Sequence, residues 1–228
     1  MVKRIAYLLT GDIDSDRAIF SKNVLDKIGF DVNVIIYTPN ENRVVSNKLS
    51  MHHILELICN GENDENEFVY FFEDDINVLE PITIDEIIEY EKISEMYFYL
   101  GICEHNPYSR LNTIDEIMNF SDIFFDLGIC EHKAYATPTN LKINNYTVFQ
   151  KKGNVRGTHA FGISKNGAKI LLEFSKQFEL DKYMDMILED FSVLYPANVV
   201  RYDLCSTIWG HRGVIFQDRT KFQSIMNS

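Results

Sequence analysis

Glu73, Asp74 and Asp75 stand side by side directly after five apolar residues, Phe68-Val69-Tyr70-Phe71-Phe72. Neighbouring carboxylates repel one another, and their charged forms are costly without a counter-charge. An apolar run of this length reads as a strand covered on both faces. The acids then fall at its carboxyl end, the edge of an open α/β sheet where ligands bind. Hard cations such as Mg²⁺ or Mn²⁺ take carboxylate oxygens together with substrate phosphate oxygens. Three acids in this place are what a site for a cation and a diphosphate needs. The plainer alternative has the same acids capping the following turn and facing water.

Other chemistry leaves little trace. No G-x-G-x-x-G or Walker sequence occurs, and there is no G-x-S-x-G nucleophile elbow. The 228 residues carry 22 basic and 34 acidic side chains, a net charge of −12, which argues against a phosphate-backbone footprint and hence against nucleic acid. A nucleotide ligand stays compatible with that charge, because a divalent cation neutralises a diphosphate locally. The cysteines are scattered without a C-x-x-C pair, the pattern of reduced residues. One repeat is plain: Leu100-Gly101-Ile102-Cys103-Glu104-His105 recurs as Leu127-Gly128-Ile129-Cys130-Glu131-His132. Its thiols and imidazoles make a possible zinc set, but C-x-H is not a usual zinc spacing, and a tolerated local duplication is the stronger alternative.

The elements that must position the acids alternate between short apolar runs and amphipathic stretches, the signature of an α/β protein with a mostly parallel sheet flanked by helices. Strands are expected at 4–9, 31–37, 68–72 and 97–100. A first helix puts Ile19, Phe20, Val24, Leu25 and Ile28 inward and ends at Gly29. A second covers 46–60 with Leu49, Ile54, Leu55 and Ile58 inward. Thr83-x-x-Glu86 is a capping box, and Thr113-x-x-Glu116 a second candidate cap. From about 106 to 157 the pattern weakens into a variable, partly irregular segment. Order returns with a strand at 159–163, Ser164 as N-cap, helices to about 178 and over 180–191, and strands near 199–202 and 214–216. No linker-like composition divides the chain, so residues 1–228 are expected to be one domain. Hydrophobic content of 46% and charged content of 25% fit an ordinary globular core. No apolar run reaches the length of a signal-peptide core or a membrane span, so a cytoplasmic location is expected.

Phe72-Glu73-Asp74-Asp75-Ile76 resembles the acidic motif of the family 25 glycosyltransferases, which include lipooligosaccharide and collagen galactosyltransferases. Leu49-Ser50-Met51-His52-His53-Ile54 is similar to the Ser-His helix that precedes that motif, and the stretch from Gly157 through His159, Ser164 and Gly167-Ala168-Lys169 to Leu172 closely resembles a later block of the family. Together the three blocks cover roughly residues 45–190, and near the N-terminus only Asp16-Arg17 resembles the family's Arg-bearing phrase. The resemblance implies a GT-A (Rossmann-like) fold, a nucleotide-diphosphate sugar donor, here a UDP-hexose, Mn²⁺ (or Mg²⁺) dependence, and transfer to a glycan or protein acceptor with inversion. By that implication Asp75, with Glu73 or Asp74, holds the cation, and Asp185, which falls where the family usually has an Asp, is the base. Glu189 and Asp190 stand behind it. His211, in Trp209-Gly210-His211-Arg212-Gly213, is a candidate third metal ligand by analogy with several GT-A enzymes, with a loop histidine of no special role as the alternative, and Arg212 is a candidate bidentate phosphate contact.

Thr10-Gly11-Asp12, at the end of the first strand, suits contacts to a uracil and ribose; a simple turn is the alternative. Trp209 suits stacking on a sugar ring or plain packing. His159 fits an acceptor-side or a structural role. Of His52 and His53, one is expected to pack near the site and the other to be solvated. Two other functions are compatible with the same acids: a metal-dependent phosphoesterase, and a non-catalytic nucleotide-sugar-binding module.

Overall fold

The computed structural model describes residues 4–62, 64–104, 136–153, 155–204, 206, 211–218 and 220–222. The strands are β1 (Arg4–Thr10), β2 (Phe30–Ile36), β3 (Phe68–Glu73), β4 (Ile76–Val78), β5 (Tyr97–Glu104), β6 (Ala136–Ile143), β7 (Tyr146–Lys151), β8 (Val155–Ser164), β9 (Ala197–Val199), β10 (His211–Gly213) and β11 (Ile215–Gln217). The helices are α1 (Asp16–Ile28), α2 (Arg43–Asn60), α3 (Ile84–Lys92), α4 (Lys165–Ser175) and α5 (Met184–Leu194).

One nine-stranded sheet carries the fold, in the order β2-β1-β3-β8-β5-β9-β7-β6, with β10 added against β5. β1 pairs parallel with β2 and β3, and β5 parallel with β9, whereas β8 and β7 run against their neighbours. Most strands therefore point one way, although the sheet is mixed by pairing. Leu9, Phe71, Tyr99 and Phe161 face a core that α2, α4 and α5 cover with Ile54, Leu55, Leu171, Ile187 and Phe191. The opposite face, with Leu8, Phe72, Phe98 and Ala160, is covered by Leu25 and Ile28 of α1, Ile84 and Ile87 of α3, and Val214 and Ile215. β3 is apolar at successive positions because both its faces are buried in this way.

The caps follow the sequence. Ser15 and Ser164 accept from the N–H groups of Ala18 and Gly167, and Thr83 from that of Glu86. Gly29 ends α1 at φ 113°, a left-handed position glycine adopts without strain. The buried stripe of α1 is Ala18, Ser21, Leu25 and Ile28, while Ile19 lies half exposed. Leu25 and Ile28 face inward as expected and Val24 packs against the core, whereas Ile19 is turned out and Ser21 comes inward to serve the turn after β3.

Within the expected irregular segment, residues 136–151 form instead the hairpin β6–β7 at the sheet edge, with Ile143 opposite Tyr146 around Asn144-Asn145. Asn144 takes φ 54°, a conformation asparagine tolerates better than most residues. The candidate cap at Thr113 and the second copy of the six-residue repeat lie outside the described residues. No described helix is long and apolar enough to cross a membrane.

Candidate functional site at the carboxyl ends of β1 and β3

The chain leaves β1 through α1 to reach β2 on one side, then returns through α2 to β3 on the other side of β1. α1 and α2 pack on opposite faces of the sheet, so the carboxyl ends of β1 and β3 are a topological switch point, where a crevice is expected. Such a switch point is where open α/β sheets bind ligands. Thr10 ends β1 and Glu73 ends β3, and Leu9 and Glu73 are in register. The acids therefore stand in this crevice.

They form one connected network. The Thr10 hydroxyl donates to Asp74 Oδ2 at 2.7 Å, and Arg17 Nη2 donates to Asp74 Oδ1 at 2.7 Å. The same Arg17 nitrogen lies 3.4 Å from Asp75 Oδ2. Gln217 Nε2 donates to Glu73 Oε2 at 2.8 Å and to Asp75 Oδ1 at 3.3 Å. Thr158 donates to Glu73 Oε1. Below the carboxylates, the Ser21 hydroxyl donates to the Asp74 carbonyl at 2.8 Å and accepts from the Ile76 N–H at 3.3 Å. Asp74 and Asp75 are 3% and 4% exposed, so the two acids are held inside the protein and do not simply face water. Burial of this kind is tolerable only with charge and hydrogen-bond partners, which Arg17, Thr10 and Gln217 supply.

The field of the acids is felt nearby. Burial pushes the Tyr37 phenol up, and the charges of Glu73, Asp74 and Asp75 push it further, while a hydrogen bond with Asn47 acts the other way. Tyr37 N–H also donates to the Thr10 carbonyl, which ties the end of β2 to the end of β1.

The closing segment brings Gln217 to the acids. β11 pairs with β4, placing Gln217 opposite Ile76, and Asp218 N–H donates to the Asp75 carbonyl at 2.6 Å. Burial raises the Asp218 carboxyl, but hydrogen bonds from Thr220, Asn77 and the Lys221 N–H outweigh it and hold the group below its usual value. Asn77 Nδ2 donates to Asp218 Oδ2 at 3.0 Å. β10 lies against β5, with Gly213 opposite Gly101. A Cβ on Gly101 would sit 1.8 Å from the Ile215 carbonyl and 2.8 Å from His159 Nε2, so this glycine is required for the closing segment to lie down. That gives a reason for the glycine in the first copy of the repeat. The β5–β8 register is also broken around Gly101, as is common where strands re-aim side chains near sites.

The other expected residues fall as follows. His211 is buried, its Nδ1 accepts from the Gln217 N–H at 3.1 Å, and its ring stacks on that of His159 with centroids 5.3 Å apart. Contrary to the expected third ligand, His211 does not join Glu73 and Asp75. Among the described residues, no three His, Cys, Asp or Glu side chains form a group that could hold a metal ion. Two carboxylates close enough to share one amide still suit a hard cation whose remaining ligands come from substrate phosphates and water. Gly11 and Asp12 are exposed beside the crevice, and a Cβ on Gly11 would meet nothing within 4 Å. Asp12 Oδ1 accepts from the Asp14 N–H at 2.9 Å, an Asx turn leading into α1. Arg212 lies over the Tyr202 ring, its guanidinium carbon 4.9 Å from the centroid.

Asp185 is half-buried in the first turn of α5, where its Oδ1 accepts from the Met186 N–H. Tyr97 at the start of β5 donates to the Tyr195 carbonyl after α5, so the helix runs opposite to β5. Its first turn, with Asp185, is therefore at the same sheet edge as the acids. Of the acids behind it, Asp190 pairs with Lys182 at 2.7 Å. His53 is exposed, while His52 shares a hydrogen bond with Ser175 and so packs between α2 and α4. Trp209, Cys130, His105 and His132 lie outside the described residues.

Residue types alone did not single out Ser21, Thr158 or Gln217, and Arg17 entered only through the resemblance of Asp16-Arg17. For Gln217 the β4–β11 register is the signal, and it exists only in three dimensions. A cleft of about 320 Å³, lined in part by Tyr97, Gln150, Tyr195 and Asn198, opens at the amino end of β5. It lies away from the acids, and the crevice is preferred as the site because the buried charged groups gather there.

No protein-family model matches the chain, and no curated protein matches it.

Proposed function

We propose that this chain is a GT-A-type glycosyltransferase that moves a hexose from a nucleotide-diphosphate sugar, a UDP-sugar, to a glycan or protein acceptor. The observation that carries the reading is the convergence of Glu73, Asp74 and Asp75 at the switch point between β1 and β3, bridged by Arg17 and Gln217. The resemblance of the acidic motif and its flanking blocks to the family 25 enzymes supports it.

Asp75 and Glu73 would hold a Mn²⁺ or Mg²⁺ ion, which when bound offsets charge on the departing nucleoside diphosphate. Thr10 and Arg17 orient Asp74, and Thr158 and Gln217 orient Glu73, so the carboxylates are set before a ligand arrives. The open Gly11-Asp12 loop receives the base and ribose. Arg212 is assigned a phosphate contact. Asp185 accepts the proton of the acceptor hydroxyl as its oxygen bonds to the anomeric carbon and the bond to the diphosphate oxygen breaks, the chemistry of an inverting transfer.

Isothermal titration with UDP, with and without Mn²⁺, tests the reading. Mn²⁺-dependent binding is expected, and absence of binding under both conditions rejects the donor assignment. Slow Mn²⁺-dependent hydrolysis across a panel of nucleotide sugars then identifies the hexose. Hydrolysis of simple phosphate esters in place of sugar nucleotides points to a phosphoesterase, and binding without any turnover to a binding module.

A further inference from the structure

The site just described holds a cation of its own. Arg17 Nη2 reaches Asp74 Oδ1 at 2.7 Å and Asp75 Oδ2 at 3.4 Å, so one nitrogen spans both carboxylates. The Arg17 side chain is 17% exposed while those of Asp74 and Asp75 are 4% and 6% exposed, which sets the guanidinium on the solvent side of the acids. It comes from the first turn of α1, directly after the open Gly11-Asp12 loop.

A bare divalent cation must displace or crowd the guanidinium to reach Asp75, with like charges opposed in a partly desolvated crevice. A diphosphate arriving with the cation changes this balance. Its oxygens are acceptors that a guanidinium binds well, often in bidentate fashion, and Arg17 exchanges a carboxylate for a phosphate without losing a partner. Resting on the donor-site reading above, we propose that Arg17 is the resident counter-ion of the acidic cluster and sets the order of binding. The cation enters together with the nucleoside diphosphate and not ahead of it. Metal and nucleotide are thereby coupled through one side chain.

The test compares binding of Mn²⁺ alone, followed by the free Mn²⁺ signal in electron paramagnetic resonance, in the wild type, Arg17→Gln and Arg17→Lys. Gln keeps a donor for Asp74 while removing the charge, and circular dichroism and a melt check the fold of each variant. Arg17→Gln is expected to bind bare Mn²⁺ about tenfold more tightly than the wild type, a coupling of ordinary size. Arg17→Lys is expected to stay near the wild type, because the charge is kept. Bare-metal affinity that is unchanged or weakened in a folded Arg17→Gln overturns the proposal. A second measurement uses only the wild type: bare Mn²⁺ must bind more weakly than Mn²⁺ in the presence of UDP, and equal affinities also overturn it. If the wild type binds no UDP at all, the donor reading fails, and the bare-metal comparison, which needs no nucleotide, still judges Arg17.

Discussion

At the scale of single residues, the acids announced themselves by type and place, and their partners did not. Three carboxylates after a doubly buried strand are legible because charge at such a position needs a reason. Arg17 and Gln217 reach those carboxylates across 57 to 144 residues of chain, and no local pattern encodes such pairs. His211, a candidate ligand by analogy with GT-A enzymes, is likewise placed by partners that no local pattern encodes: its Nδ1 accepts from the Gln217 N–H and its ring stacks on His159. The roles of Asp75 and Asp185 separate in experiment. Asp75→Ala is expected to abolish Mn²⁺-dependent UDP binding with the melt little changed, whereas Asp185→Asn keeps donor binding and loses transfer by at least about a hundredfold. Titration calorimetry and a transfer assay read the two losses, and full transfer by Asp185→Asn removes it as the base.

At the scale of elements, strands and caps were readable because apolar runs and capping residues act locally, as at Phe68–Glu73, Ser15 and Ser164. The hairpin β6–β7 was missed although Asn144-Asn145 between apolar residues is a turn signal. β6 is a largely exposed edge strand, and the alternation is weak there. On α1, Leu25 and Ile28 were readable but Ser21 was not: its burial is offset by bonds to the Asp74 and Ile76 backbone, which hydrophobic periodicity does not see. Gly101→Ala forces β10 and β11 off β5, and is expected to cost about 1–3 kcal/mol or more in urea denaturation. Because Gln217 moves with β11, UDP affinity should fall as well, and an unchanged affinity would separate the closing segment from the site. His52, at the α2–α4 contact, has a lowered pKa, first from burial and then from Lys48 and Lys176. A depressed histidine favours the folded state above its unfolded pKa, so this stability is present above about pH 6.5 and is lost as pH falls through the lower folded value. His52→Gln is expected to flatten the stability curve below about pH 6.5; a curve that keeps its slope assigns the dependence elsewhere.

At the scale of the whole molecule, the α/β class and the layering of helices on both faces were legible, because alternating strand and helix patterns leave few topologies. The strand order and the antiparallel β8 were not, since pairing between distant strands is settled by packing. Asp218 ties the two ends of this arrangement together through Asn77 and the Asp75 carbonyl. With its pKa held below the usual range, it stabilises the fold above its unfolded value near 4, and that contribution is lost as pH falls through the folded value. Asp218→Asn should therefore lose less stability than the wild type between pH 7 and pH 3, measured by urea denaturation at each pH; an identical loss rejects the linkage. The β4–β11 ladder also has a consequence in time. A ribosome that has made only the first 200 residues has already supplied Thr10, Arg17, the three acids and Thr158, but Gln217, whose amide donates to both Glu73 and Asp75, is still to come. The candidate site of a nascent chain stays unfinished until residue 217 has emerged, so synthesis itself withholds the completed arrangement from ligands in the surrounding solution.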